Sequence, residues 1–158
     1  MVTRYVSREG RAGRVLVARL KPGSDLLLSI RDFVTKEEMK AGVILSGVGL
    51  LKKARIRNCK VLPEEYPITD SNRSYMSFEM PLEILGLSGN VSEVDGKPWV
   101  HAHVTLSGVK EEKNIVVGGH LIEGCVVFGF AEIIVMQLED IEMAKKLDDE
   151  TKTFQLFA

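Results

Sequence analysis

The chain has little cysteine, no long apolar run and almost no net charge. Two cysteines in 158 residues cannot build a disulfide framework. Cys59 and Cys125 each lie in an apolar, strand-like stretch and read as small buried hydrophobes, their thiols reduced as in a cytoplasmic protein. The most apolar segment, residues 124–138, carries Glu132 and is shorter than the roughly 20 residues that cross a bilayer. The first residues are charged with no apolar core behind them, so no secretory signal is expected. The Gly-x-x-x-x-Gly-Lys-Ser/Thr phosphate loop and the Cys-x-x-Cys pair are both missing, and Gly47-Val48-Gly49 lacks the third glycine of a dinucleotide loop. A net charge of −1 leaves no overall basic footprint for nucleic acid or anionic membrane.

That small sum conceals an asymmetry. Residues 1–21 hold six basic side chains against Glu9 alone, whereas residues 110–158 hold ten acids and five bases. Arg8, Arg11 and Arg14 therefore either meet phosphates or pair with the acidic C-terminal stretch. Residues 10–14, Gly-Arg-Ala-Gly-Arg, lack the Gly-Arg-Pro core of an AT-hook. With 45% hydrophobic and 27% charged residues, the composition is that of one globular domain spanning residues 1–158.

Residues 14–20 (RVLVARL) read as a strand ended by Lys21-Pro22-Gly23. Ser24 is a good N-cap, and Leu26, Leu27, Ile30, Phe33 and Val34 recur at helical spacing behind it. Thr35 with Glu38 three residues on has the form of a capping box, so a second short helix is expected there. Residues 41–51 read as a buried strand and 53–61 as a strand with one wet side carrying Arg55 and Arg57. Residues 62–74 form the clearest loop. Beyond it strands are expected at 75–81, 82–94, 99–106, 114–117 and 125–138, with Asp95-Gly96 as a hairpin turn. A helical turn after Glu139 and a last strand at 151–157 complete an α+β domain, mainly antiparallel sheet with one or two short N-terminal helices.

The three histidines, His101, His103 and His120, all fall within twenty residues. In a strand, residues i and i+2 point to one face, so His101 and His103 project side by side from WVHAHVTL. His120 follows Gly118-Gly119, which permits close backbone approach, and an antiparallel return brings it to the pair. Three neutral imidazoles suit a divalent metal, zinc first, with a fourth position open for chemistry. The plainer alternative is a hydrogen-bonded polar cluster or a subunit contact. Glu83 is the preferred carboxylate to move a proton at such a site and Glu132 the second choice; each equally suits a solvent-facing strand position. Trp99 reads as a core or interface anchor.

Arg19-Leu-Lys-Pro-Gly23, Ser46-Gly-Val-Gly49, Leu82-Glu-Ile-Leu-Gly-Leu-Ser-Gly89, Gly96-Lys-Pro-Trp-Val-His-Ala-His103 and Gly118-Gly-His-Leu121 follow one another in that order. Together they resemble the plants-and-prokaryotes conserved domain over residues 14–157. The resemblance implies an antiparallel α+β fold, a homotrimer, and His101, His103 and His120 as metal-binding positions. It also implies a wider kinship with acetolactate decarboxylase, which holds zinc with three histidines, and so metal-dependent chemistry on a small carbonyl or ester compound. Plant members carry Gly-Arg-Phe-Glu-Ile-Leu where this chain has Met80-Pro-Leu-Glu-Ile-Leu85, and partner recognition tied to the lost arginine does not carry over. The competing reading is a DNA-associated regulatory protein that uses the N-terminal arginines.

Overall fold

A computed structural model describes residues 3–157. Strand β1 (Arg11–Leu20) leads through the Lys21-Pro22-Gly23 turn into helix α1 (Leu26–Lys36). Asp25, not Ser24, caps this helix: one carboxylate oxygen accepts from the Leu28 N–H at 3.0 Å and the other from the Gly124 N–H at 2.7 Å. The second helix expected at Thr35 does not form. Thr35 lies inside α1 and donates its hydroxyl to the Arg31 carbonyl at 2.7 Å. Glu38 instead ends the helix in the left-handed region, at φ 53°. A threonine-to-glutamate spacing cannot tell the last turn of a helix from the first.

The remaining strands are β2 (Gly42–Cys59), β3 (Arg73–Phe78), β4 (Leu82–Val94), β5 (Lys97–Lys110), β6 (Lys113–Leu121), β7 (Val126–Glu139), β8 (Lys145–Leu147) and β9 (Phe154–Leu156). The two strands expected at 41–51 and 53–61 are one continuous β2, bent by register shifts against β7 near Leu45, Leu50 and Lys52. Gly49 answers for part of the Ser46-Gly-Val-Gly49 motif. Its φ is 152°, and a Cβ there would stand 2.6 Å from the Phe130 carbonyl. The motif thus serves strand packing rather than nucleotide binding. Among the described residues no helix forms after Glu139, and the last strand shortens to β9, which pairs with β8 in a small hairpin.

The main sheet runs β1-β7-β2-β4-β5-β6, all neighbours antiparallel, with β3 beside β2. The far end of β2 also pairs with β6 through Ile56↔Leu121 and Arg57↔His120. Strands β2, β4, β5 and β6 therefore close on themselves. One side of this sheet is dry. Leu26, Leu27, Ile30 and Val34 of α1 pack into a core with Ile44 and Ile56 of β2, Ile84 and Leu87 of β4, Val104 and Leu106 of β5, and Ile133 and Val135 of β7. The alternating residues of those strands face outward, and the histidines are among them.

Candidate metal centre

Along β5, Val100, Ala102, Val104 and Leu106 are buried in the core. Period-two alternation sends His101 and His103 to the opposite face. The β5–β6 register places His103 directly opposite His120. Ring centroids lie 5.4 Å apart for His101–His103, 4.9 Å for His101–His120 and 5.3 Å for His103–His120. One ligating nitrogen from each ring falls within 4.8 Å of the others. A tetrahedral zinc with bonds of about 2.0–2.1 Å sets its ligand atoms about 3.3–3.4 Å apart, so the rings would turn inward to close on it.

The glycines before His120 perform the close approach expected of them. Asn58 of β2 donates its amide to the Gly118 carbonyl at 2.9 Å, and a Cβ on Gly119 would meet the Asn58 side chain at 2.5 Å. That contact seats β6 against β2 and so sets Arg57 opposite His120.

Burial is the largest cause holding the His101 ring below its ordinary pKa, followed by the charge of Lys145. Burial, then Arg57, pushes His120 down to about 3. Both rings are thus neutral at physiological pH, which is the ligating form. Asn90 of β4 faces His101 across the β4–β5 pair, and its buried Oδ1 has no hydrogen-bond partner among the described residues. A neighbouring acceptor for the free ring N–H is what orients a metal-ligating imidazole, and Asn90 holds the register position to offer one. The donor set and this neighbour both fit a divalent metal.

The histidines line an open cleft of about 620 Å³ with Arg57, Arg73, Lys145, Trp99, Cys59 and Asn58, among others. Arg57 stands opposite His120 on β2, and Lys145 arrives on the β8–β9 hairpin, which also supplies Phe154. Sequence reasoning missed Asn90 and Lys145, whose places at the site follow from strand pairings distant in sequence. Arg57 was visible only as a wet-face position.

Other expected site residues lie elsewhere. Glu83 pairs with Ser107, four positions beyond His103 along β5, or about 13 Å at the rise of a strand. The structure does not bring it to the histidines within one chain. Glu132 is exposed and faces Arg19 across β1–β7. Cys59, expected to be buried, is exposed at the end of β2; Cys125 is buried, and desolvation raises its thiol to about 11. Trp99 is no core anchor: it lines the cleft with the Arg31 guanidinium 5.3 Å from its ring centroid. The N-terminal arginines meet local partners. Arg11 pairs with Asp140 and Glu139, Arg14 with Glu37 and Gln137, and Arg8 donates to the Ser7 carbonyl beside the Phe157 ring.

No helix among the described residues is long and apolar enough to cross a membrane. Among solved structures, a metal-containing protein from Archaeoglobus fulgidus is 31% identical with a TM-score of 0.78, covering 98% of this chain and 100% of that one. A plant- and prokaryote-conserved protein from Pyrococcus horikoshii is 33% identical with a TM-score of 0.76, covering 95% and 96%. Alpha-acetolactate decarboxylase from Bacillus subtilis, 12% identical with a TM-score of 0.56 over 90% of this chain and 60% of its own, shares the fold alone. The bifunctional protein GlmU of a Synechococcus strain is 32% identical over 143 residues, 90% of this chain. The chain spans about a fifth of the length of that curated relative. Residues 7–139 match the model of the Plants and Prokaryotes Conserved (PCC) domain. With that match across most of the chain, on this sheet and with these histidines, the protein belongs to the Plants and Prokaryotes Conserved domain family.

Proposed function

We propose that the chain binds one divalent metal ion, zinc by preference, through His101, His103 and His120, and that the site acts on a small carbonyl or ester compound. The observation that carries this reading is the convergence of three ligating nitrogens within 4.8 Å on the open face of the sheet. The relative from Archaeoglobus, described as metal-containing, supports it. A divalent metal held there supplies Lewis-acid polarisation of a substrate oxygen. The chain's own contribution is to keep His101 and His120 neutral, to hold their rings on paired strands, and to leave the fourth side facing the cleft. Within one chain the β4–β5 register holds Glu83 about 13 Å along the sheet from the rings, so moving a proton there would require a neighbouring copy to carry it to the site.

We also propose a homotrimer, supported by apolar side chains exposed on the outer face of β1, β2 and β7. The second reading is DNA binding through Arg8, Arg11 and Arg14. Proteins from Bacteroides thetaiotaomicron and Ralstonia eutropha described as putative DNA-binding proteins share the fold at 15% and 20% identity. Here, however, Arg11 and Arg14 face carboxylates, and the chain as a whole is slightly acidic.

Metal content tests the reading. Untagged protein purified without chelator is expected to hold about one zinc per chain by mass spectrometry, and His103→Ala to lose most of it, since three ligands are needed to close the site. Wild type that folds and stays metal-free when zinc is supplied overturns it.

A further inference from the structure

The charges around the histidines do not balance. Arg57, Arg73 and Lys145 line the cleft, and no aspartate or glutamate does. Arg73 is answered from outside by Asp70 at 3.0 Å, whose carboxyl the Tyr75 hydroxyl and Arg73 hold below its ordinary value. Arg57 and Lys145 make no ion pair or side-chain hydrogen bond among the described residues, although both are half-buried. Three neutral imidazoles contribute no charge, so a divalent ion on them adds two positive charges beside two unanswered cations. Half-desolvated like charges in a concave site are unfavourable unless an anion joins them.

We propose that the cleft takes a small carboxylate, held by the Arg57 guanidinium and the Lys145 ammonium so that the rest of the molecule reaches the open side of the histidine centre. This names the ligand class of the metal site read above and rests on that reading. A planar guanidinium meets the two oxygens of a carboxylate in parallel, and an ammonium adds a point charge. Arg57 is positioned for it by the β2–β6 pairing that sets it against His120. Lys145 comes from the β8–β9 hairpin, which docks on β4 through the Glu93–Ala144 bridge and lies outside the residues matched by the family model. The cleft's volume suits a small molecule, and Val94, Trp99, Ile68 and Phe154 offer its apolar part a wall.

Calorimetric titration of zinc-loaded protein with pyruvate and with methyl pyruvate, its uncharged counterpart, tests this, with metal content measured on every sample. Pyruvate is expected to bind at least about tenfold more tightly than the ester. Arg57→Gln and Lys145→Gln should each weaken pyruvate by about tenfold while metal content and melting temperature stay at wild-type values. Equal binding of acid and ester, variants that bind as well as wild type, or inorganic phosphate binding where pyruvate does not would each overturn the carboxylate assignment. If the wild type takes up no zinc, the metal reading has failed by itself. The same titration on metal-free protein then decides: binding of pyruvate that depends on Arg57 upholds the anion site, and its absence overturns it.

Discussion

His120 shows most directly how burial sets chemistry at single positions. Its ring sits between His103 on β5 and Arg57 on β2, and loss of solvent together with the neighbouring cation moves it from 6.5 to about 3. In metal-free protein this makes stability depend on pH with a definite sign. Between pH 6.5 and 3 the unfolded chain binds a proton at this position that the folded chain does not, so stability falls as pH falls through that window. One proton sets a ceiling of about 1.4 kcal/mol per pH unit, and a ring in contact with solvent delivers less. Urea midpoints measured across that range should therefore drop more steeply for wild type than for His120→Gln. Identical slopes would mean that the ring is not desolvated. The alternation of His101 and His103 was legible from their spacing, as was the apolar run around them. The unanswered charge of Arg57 was not, because an arginine on a wet strand face looks the same whether or not it has a partner.

At the scale of elements, the sequence was informative wherever a local signal has one physical meaning. Asp95-Gly96 turns at φ 51° and 73°, as its residue types demand. The turn between β5 and β6 uses Glu111 and Glu112 at φ 50° and 61°, a left-handed pair without glycine, and no sequence signal announced it. A side chain held in that region costs about 1 kcal/mol relative to glycine. Glu112→Gly is expected to raise stability by about 0.5–1 kcal/mol, or the melting temperature by roughly 1–4 °C, without disturbing the metal site. Thermal denaturation measures it, and a lower melting temperature would show that Glu112 makes a compensating contact. The missing second helix is a local matter, since Thr35 lies in the last turn of α1 and Glu38 leaves it at φ 53°, whereas the fused β2 has a tertiary cause. A break in apolar patterning is a local cue, and the pairing of β2 with β7 and β4 overrides it.

Across the whole molecule, the core occupies one face of the sheet and the other face is incompletely polar. Val15 and Val17 of β1 are 55% and 69% exposed, opposite Met136 and Ile134 of β7, and Phe128 and Phe130 continue the same side of β7. An apolar surface of this kind on a folded chain is ordinarily covered by another copy in a symmetric assembly. Light scattering after size exclusion should return about three times the 17.6 kDa chain mass. Val17→Glu combined with Phe130→Glu should lower that mass toward one chain. A wild type that runs as a monomer at high concentration would overturn the trimer.

The sequence by itself determined the strand-rich class, the one amphipathic helix and the pairing of two imidazoles on one face. Each follows from periodicity, and periodicity is written in neighbouring residues. What only the tertiary structure decided is which distant segments share that face. The return of β6 against both β5 and β2 brought His120 and Arg57 together, the C-terminal hairpin added Lys145, and the β4–β5 register kept Glu83 away. Strand registers are set by the burial of a whole sheet face and by the glycines that let backbones touch, and neither acts within the span of a motif.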